Sequence, residues 1–370
     1  MDLSQALLFS DGLATLLGLK CHFATGAKRS VNVVYCIVGL TFKILVSVLC
    51  LRGVLQHLFS DGLNVTNMVL LASYKFTSVL LFLGVIFFHL KKHAAFVNIY
   101  HSLSNEAINL GCFQALFAFL KFYSACVGII AAIVIWGLFW FQATQLSFGY
   151  SIDLAHSALT FYACVYFELK FALVAKTTEF LFKEINLNIC AAKNSPKWVA
   201  EVFPALRKTH KNLYAATEEA NSTFQLLLML TEILQFQVMI YSGYIFIIDC
   251  WDLEDKFTKL KIKILIASAA YWIAIISNYI HLVSACSNSL STAQETASKL
   301  LRVEVETTND VIREEAALFR TQILHYKHFT FNIFGLVCIN KAYVFMVFGA
   351  LTTYLATLVQ FHLLASQFAE

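Results

Sequence analysis

Apolar residues gather along this chain in seven runs of membrane-spanning length, and the connections between them hold most of the charge. The runs cover 31–55, 67–90, 116–141, 156–182, 224–248, 262–286 and 342–361. Glu168 and Lys170 interrupt the fourth, whereas the last carries no charge at all. Polar residues in the last run follow one helical face, since Thr353, Thr357 and Gln360 are spaced by four and three. An unpaired carboxamide facing lipid is costly, so this stripe faces protein or water. Two readings stay open: the stripe lines an aqueous pathway, or it hydrogen-bonds a neighbouring helix.

Lys and Arg fall unevenly about these runs. Sixteen of them lie in the N-terminal segment and in the second, fourth and sixth connections, so that side is expected in the cytosol. The opposite side has Arg52 and a mixed cluster between Asp252 and Lys263, and the third connection has neither Lys nor Arg. The expected topology therefore has a cytosolic N-terminus and an extracellular C-terminus. This is opposite to a seven-helix receptor coupled to a G protein. Both prolines, Pro196 and Pro204, also fall in one cytosolic connection rather than kinking spans. The triplet Asn64-Val65-Thr66 is a glycosylation acceptor on the outer side; Asn221-Ser222-Thr223 is placed inside and expected to stay unmodified.

The cytosolic connections read as helices. Ser195 followed by Pro196 marks a helix start that runs on into the fifth span. Thr292 with Glu295 reads as a capping box. Leu301, Val305, Thr308, Ile312 and Phe319 then recur near helical spacing, predicting one amphipathic helix in need of an apolar partner. That partner is either the neighbouring cytosolic helices of the same chain or those of other subunits.

Composition agrees with a polytopic membrane protein. Charged residues make up 14% of the chain and apolar ones 59%, and mean hydropathy is +0.69. Net charge is only +4 with no long basic run, which gives nucleic acid no footing. Ten cysteines stand without a CxxC pair, so neither a zinc site nor a disulfide framework is indicated. The N-terminal stretch has acidic residues and no base before Lys20, unlike a signal peptide. No HExxH, phosphate loop or GxSxG is present, so an enzyme is not expected and no cofactor is called for. Without internal repeats or paired broken spans, a transporter is disfavoured as well.

Charges within spans are candidates for function: Lys43, Lys75, Glu168, Lys170 and Glu232. Lys43 and Glu168 both fall near mid-membrane, where they can pair. Lys75 lies in the outer part of the second span. The outer ends of spans three to six carry an aromatic and polar set, Trp140, Gln142, Gln145, His156, Tyr162, Tyr166, Tyr241, Tyr244, Tyr271 and Trp272. Such rings either form an interfacial belt or, with an apolar face and a hydrogen-bonding tip, receive a small organic ligand.

Thr353-Tyr354-Leu355-Ala356-Thr357-Leu358-Val359-Gln360-Phe361 resembles the TYhhhhhQF signature that ends the last helix of insect gustatory receptors. Gly335, Ile339-Asn340 and Lys341 resemble that family's lead-in. The resemblance implies an all-α membrane protein of seven helices that assembles as a tetramer, alone or with related subunits, into a ligand-gated cation channel in the plasma membrane of sensory dendrites. It implies a pore of four last helices lined by Thr353, Thr357, Gln360 and Phe361, with Phe361 as the hydrophobic block and Gln360 turning inward on opening. Tyr354 packs against neighbouring helices, and the tastant occupies the outer half of the bundle. Leu355, where sugar-type members carry an acid, tilts the ligand toward bitter or other non-sugar compounds. The chain then divides into a cytosolic segment (1–30), six spans with the ligand pocket (31–286), a cytosolic assembly helix (287–328), and the pore span with its extracellular tail (329–370).

Overall fold

The computed structural model describes residues 65–122, 148–192, 196–251, 259–325 and 330–367, together with Thr41 and Val48. The rest of the first span, including Lys43, lies outside them, as do Asn64 and Ser195. The described chain is helical apart from one small hairpin: α1 (Val65–Phe87) with a π-helical turn (Phe88–Lys92), α2 (His93–Asn109), α4 (Phe148–Ala192), α5 (Pro196–Trp251), α6 (Lys259–Glu306), α7 (Asp310–His325) and α8 (Lys341–Gln367). A short apolar helix, α3 (Phe113–Phe122), lies between α2 and α4. Strands β1 (Asn332–Ile333) and β2 (Val337–Cys338) pair antiparallel between α7 and α8.

Three helices set the architecture. At 1.5 Å per residue α4, α5 and α6 are roughly 65 to 85 Å long, more than twice a bilayer core of about 30 Å. Each therefore has one half in an apolar bundle and another in a second bundle at the basic end. Two hydrophobic cores are stacked along them. The first gathers Phe82, Phe167, Phe224 and Leu282 with the hairpin and α8. The second gathers Leu103, Phe182, Leu213, Leu300 and Phe319 from α2, α4, α5, α6 and α7. Phe96 joins them, its ring 5.5 Å from Phe224 and 4.8 Å from Tyr100. Of the described helices, Val202–Ile248 and Lys341–Leu364 are long and apolar enough to cross a membrane by composition.

Two acids at the second core have partners. The buried Glu106 carboxylate accepts from Thr209 (2.8 Å), Asn212 (2.7 Å) and Asn109 (3.3 Å), tying α2 to α5. Glu179 accepts from Lys176 (2.8 Å) and Lys183 (2.5 Å) along α4.

Two expectations are corrected. Thr292 and Glu295 start no helix, because α6 runs through them unbroken. The Thr292 hydroxyl donates to the Asn288 carbonyl one turn back (2.8 Å), the interior alternative to capping for the same residue type. Nor is the segment Leu301 to Phe319 one helix. It breaks at Thr307–Asn309, where the Asn309 side-chain oxygen accepts from the amides of Val311 (3.0 Å) and Ile312 (3.3 Å) and starts α7. The turn separates the stripe. Ile312 and Phe319 are buried, whereas Leu301 and Val305 are exposed. The start of α5 at Pro196 agrees with the expectation.

Asn221, in the inner glycosylation triplet, is buried, and its side-chain oxygen accepts the Asn332 amide (3.0 Å). It serves as the anchor of the hairpin. At the hairpin tip Phe334 (φ 52°) and Gly335 (φ 71°) are left-handed, and Asn332 receives the Gly335 amide (2.8 Å).

Candidate functional site

The last helix is held on one face and free on the other. Tyr343, Val347, Leu351 and Leu355, spaced by four, are buried in the first core. Thr353, Thr357, Gln360 and Phe361 are exposed, with Thr353 and Gln360 on the side opposite Val347 and Leu351. Their hydroxyls stay within α8: Thr353 donates to the Gly349 carbonyl and Thr357 to the Thr353 carbonyl, each at 2.9 Å. Among the described residues no hydrogen bond runs from this stripe to another helix. Tyr354 is partly exposed and meets the Phe236 ring of α5 edge-on, centroids 5.9 Å apart.

Side-chain links fix α8 at both ends. At its basic end the Tyr343 hydroxyl donates to the Glu232 carboxylate of α5 (2.8 Å), and the Tyr343 ring stacks on Tyr279 of α6 at 6.0 Å. Near its far end His362 Nδ1 shares a hydrogen bond with the Tyr244 hydroxyl of α5 (3.1 Å). From Tyr343 to His362 is about 28 Å of helix, close to the depth of a bilayer core.

Glu168 is reached by neighbouring helices in a similar way. Its carboxylate accepts from Gln235 of α5 (2.9 Å) and from Asn278 of α6. Gln235 and Glu232 lie one turn apart on α5, so both buried acids belong to one polar layer joining α4, α5, α6 and α8. Lys170 rests over the rings of Tyr166 (5.3 Å) and Phe96 (5.9 Å).

The expected ligand residues separate into groups. Trp140, Gln142 and Gln145 lie outside the described residues; His156 sits on α4 and Tyr271 on α6. Lys75 is buried on α1, its ammonium 5.7 Å from the Tyr74 ring. Tyr162 and Tyr166 stack on each other along α4 at 6.3 Å and are buried. Tyr241 is half-buried on α5. Trp272 donates through its indole N–H to the Ser242 hydroxyl (2.6 Å). Its ring packs so closely on Gly243 that a Cβ there would lie 2.5 Å from Cζ2. The structure thus brings Tyr244 and Trp272 to the seam of α5, α6 and α8, while Tyr162 and Tyr166 line α4.

Sequence reading missed Tyr343, Tyr279, Asn278, Gln235, Ser242 and His362 as participants. Glu232 and Glu168 carried the only signal, since a buried acid requires donors. Which helices supply them depends on packing.

Comparison with known proteins places this geometry. None of the curated proteins matches the chain in sequence. Among solved structures, the insect olfactory receptor OR5 from Machilis hrabei superimposes with a TM-score of 0.70 at 12% identity, over 96% of this chain and 98% of the receptor. The same receptor in complex with eugenol gives 0.69 at 11% identity, over 97% of each chain. These likenesses establish the fold. A family model described as 7tm chemosensory receptor matches residues 12–365, so the chain belongs to that family of membrane receptors, which are not enzymes.

Proposed function

We propose that this chain is a gustatory receptor subunit: a ligand-gated, non-selective cation channel of the plasma membrane of sensory dendrites, opened by a small-molecule tastant. Four copies, or copies with related subunits, place α8 around one central pore. The observation that carries this reading is the free polar face of α8. Thr353, Thr357 and Gln360 stand exposed, with Thr353 and Gln360 opposite the face that Val347 and Leu351 bury. A stripe with no hydrogen bond to another helix among the described residues is suited to water or to a second copy. The N-terminal side and basic connections face the cytosol by the charge rule.

The ligand is a small organic molecule, recognised toward the far end of the bundle. The fold relative that binds eugenol supports that class. Non-sugar ligands are favoured: Leu355 is buried against the bundle, with Cδ1 3.1 Å from where a Gly243 Cβ would sit, and this apolar seam leaves no place for an acid. Gating is differential binding, in which a ligand shifts the closed–open equilibrium by no more than its affinity difference between states.

Ligand-evoked current in cells expressing this chain, across a tastant panel and with G-protein signalling blocked from inside, tests the reading. Current that survives the block is the expected result. Current abolished by it overturns the channel assignment in favour of a receptor that signals through a cytosolic partner.

A further inference from the structure

A groove of about 300 Å³ opens between α1, α5 and the hairpin at the basic end. Its shape follows from two local features. Gly84 lets α1 close on α5, since a Cβ there would meet Leu230 Cδ1 at 2.8 Å. Immediately beyond, the π-helical turn Phe88–Lys92 widens α1 and brings Lys92 to the mouth of the groove. Phe334 forms a wall, its left-handed backbone held by the two asparagine contacts of the hairpin.

The lining combines an apolar floor with uncommitted donors. Lys92 is half-buried and makes no ion pair among the described residues; Gln225, also half-buried, makes no side-chain hydrogen bond among them. Thr223 is only 4% exposed, yet its hydroxyl has no partner among the described residues. From this mouth the exposed residues Phe87, Leu83, Leu80 and Phe76 form a stripe up α1. That stripe is about 16 Å long, the depth of one leaflet.

We propose that the groove binds an anionic phospholipid of the cytosolic leaflet. The headgroup phosphate receives the Lys92 ammonium, the Gln225 amide and the Thr223 hydroxyl, and one acyl chain follows the α1 stripe. The charge rule puts this end in the cytosol, where anionic lipids concentrate and where an ammonium with no ion pair among the described residues selects them. An apolar ligand alone leaves the donors unmet, and a free anion leaves the stripe bare. The site stands whether or not the chain conducts ions.

The test is native mass spectrometry of the full-length receptor in mild detergent, offered equal phosphatidylserine and phosphatidylcholine. The expected result is retention of phosphatidylserine in preference to phosphatidylcholine. Lys92→Gln should reduce phosphatidylserine retention about fivefold, one basic contact's worth, and Thr223→Val should reduce it too. Lys91→Gln, the same charge change at an exposed neighbour, should leave it unaltered, and size-exclusion profiles confirm folding of each variant. Equal retention in Lys92→Gln and the unsubstituted receptor overturns the proposal, as does absence of lipid preference. A groove sealed by a second copy, seen as no lipid adduct and as dissociation in the Lys92→Gln variant, overturns it as well.

Discussion

His210 sits between the rings of Phe182 (5.1 Å) and Phe319 (5.6 Å) in the second core, where burial pushes its imidazole from 6.5 down to about 4. The folded state therefore binds this proton less readily than the unfolded chain. The stability it contributes is complete above pH 6.5 and is lost as pH falls from 6.5 toward 4, by about 3 kcal/mol in all. Thermal unfolding of purified receptor at pH 7.5 and pH 5 should show this loss, and His210→Phe should shrink it; an identical acid dependence in the variant refutes the assignment. Glu232 stood out as an ionisable group in an apolar run, but nothing local named Tyr343, more than a hundred positions away, as its donor.

Among the elements, α8 is the one whose attachment matters most. Its basic end is tied through Tyr343 to Glu232 and its far end through His362 to Tyr244. Tyr343→Phe keeps the ring against Tyr279 but leaves a buried carboxylate short of a donor, a change worth about 1 to 3 kcal/mol. The expected outcome is a lower unfolding midpoint together with a shifted ligand dose–response, since the basic end of the helix is loosened. Unaltered values for both contradict the anchoring role. Among the described residues, helix existence was legible from apolar runs of bilayer length; helix continuity was not. The Thr292–Glu295 spacing fits a helix start and a helix interior equally, and α6 passes through because Asn186 and the second core hold that turn, with Asn186 donating to the Thr292 carbonyl (3.1 Å).

For the whole molecule, two cores stacked along α4, α5 and α6 leave one polar stripe of α8 with no hydrogen bond to another helix among the described residues. In the proposed assembly that stripe faces the shared axis. Gln360→Ala should then change single-channel conductance or ion preference while leaving ligand sensitivity in place, because Gln360 lies on the face opposite the bundle. An unchanged open channel removes Gln360 from the pathway.

Sequence alone determined the class of this protein, its helical character, its basic end and the polar face of its last helix. These follow from local physics: a bilayer demands about twenty apolar residues in succession, and helical spacing puts Thr353, Thr357 and Gln360 on one side. Tertiary structure decided which face of α8 is buried, where α6 ends and α7 begins, and which donors meet Glu168 and Glu232. A hydrogen bond needs partners within about 3 Å, and residues from different helices reach that distance only once the packing of whole helices has set their rotation and depth.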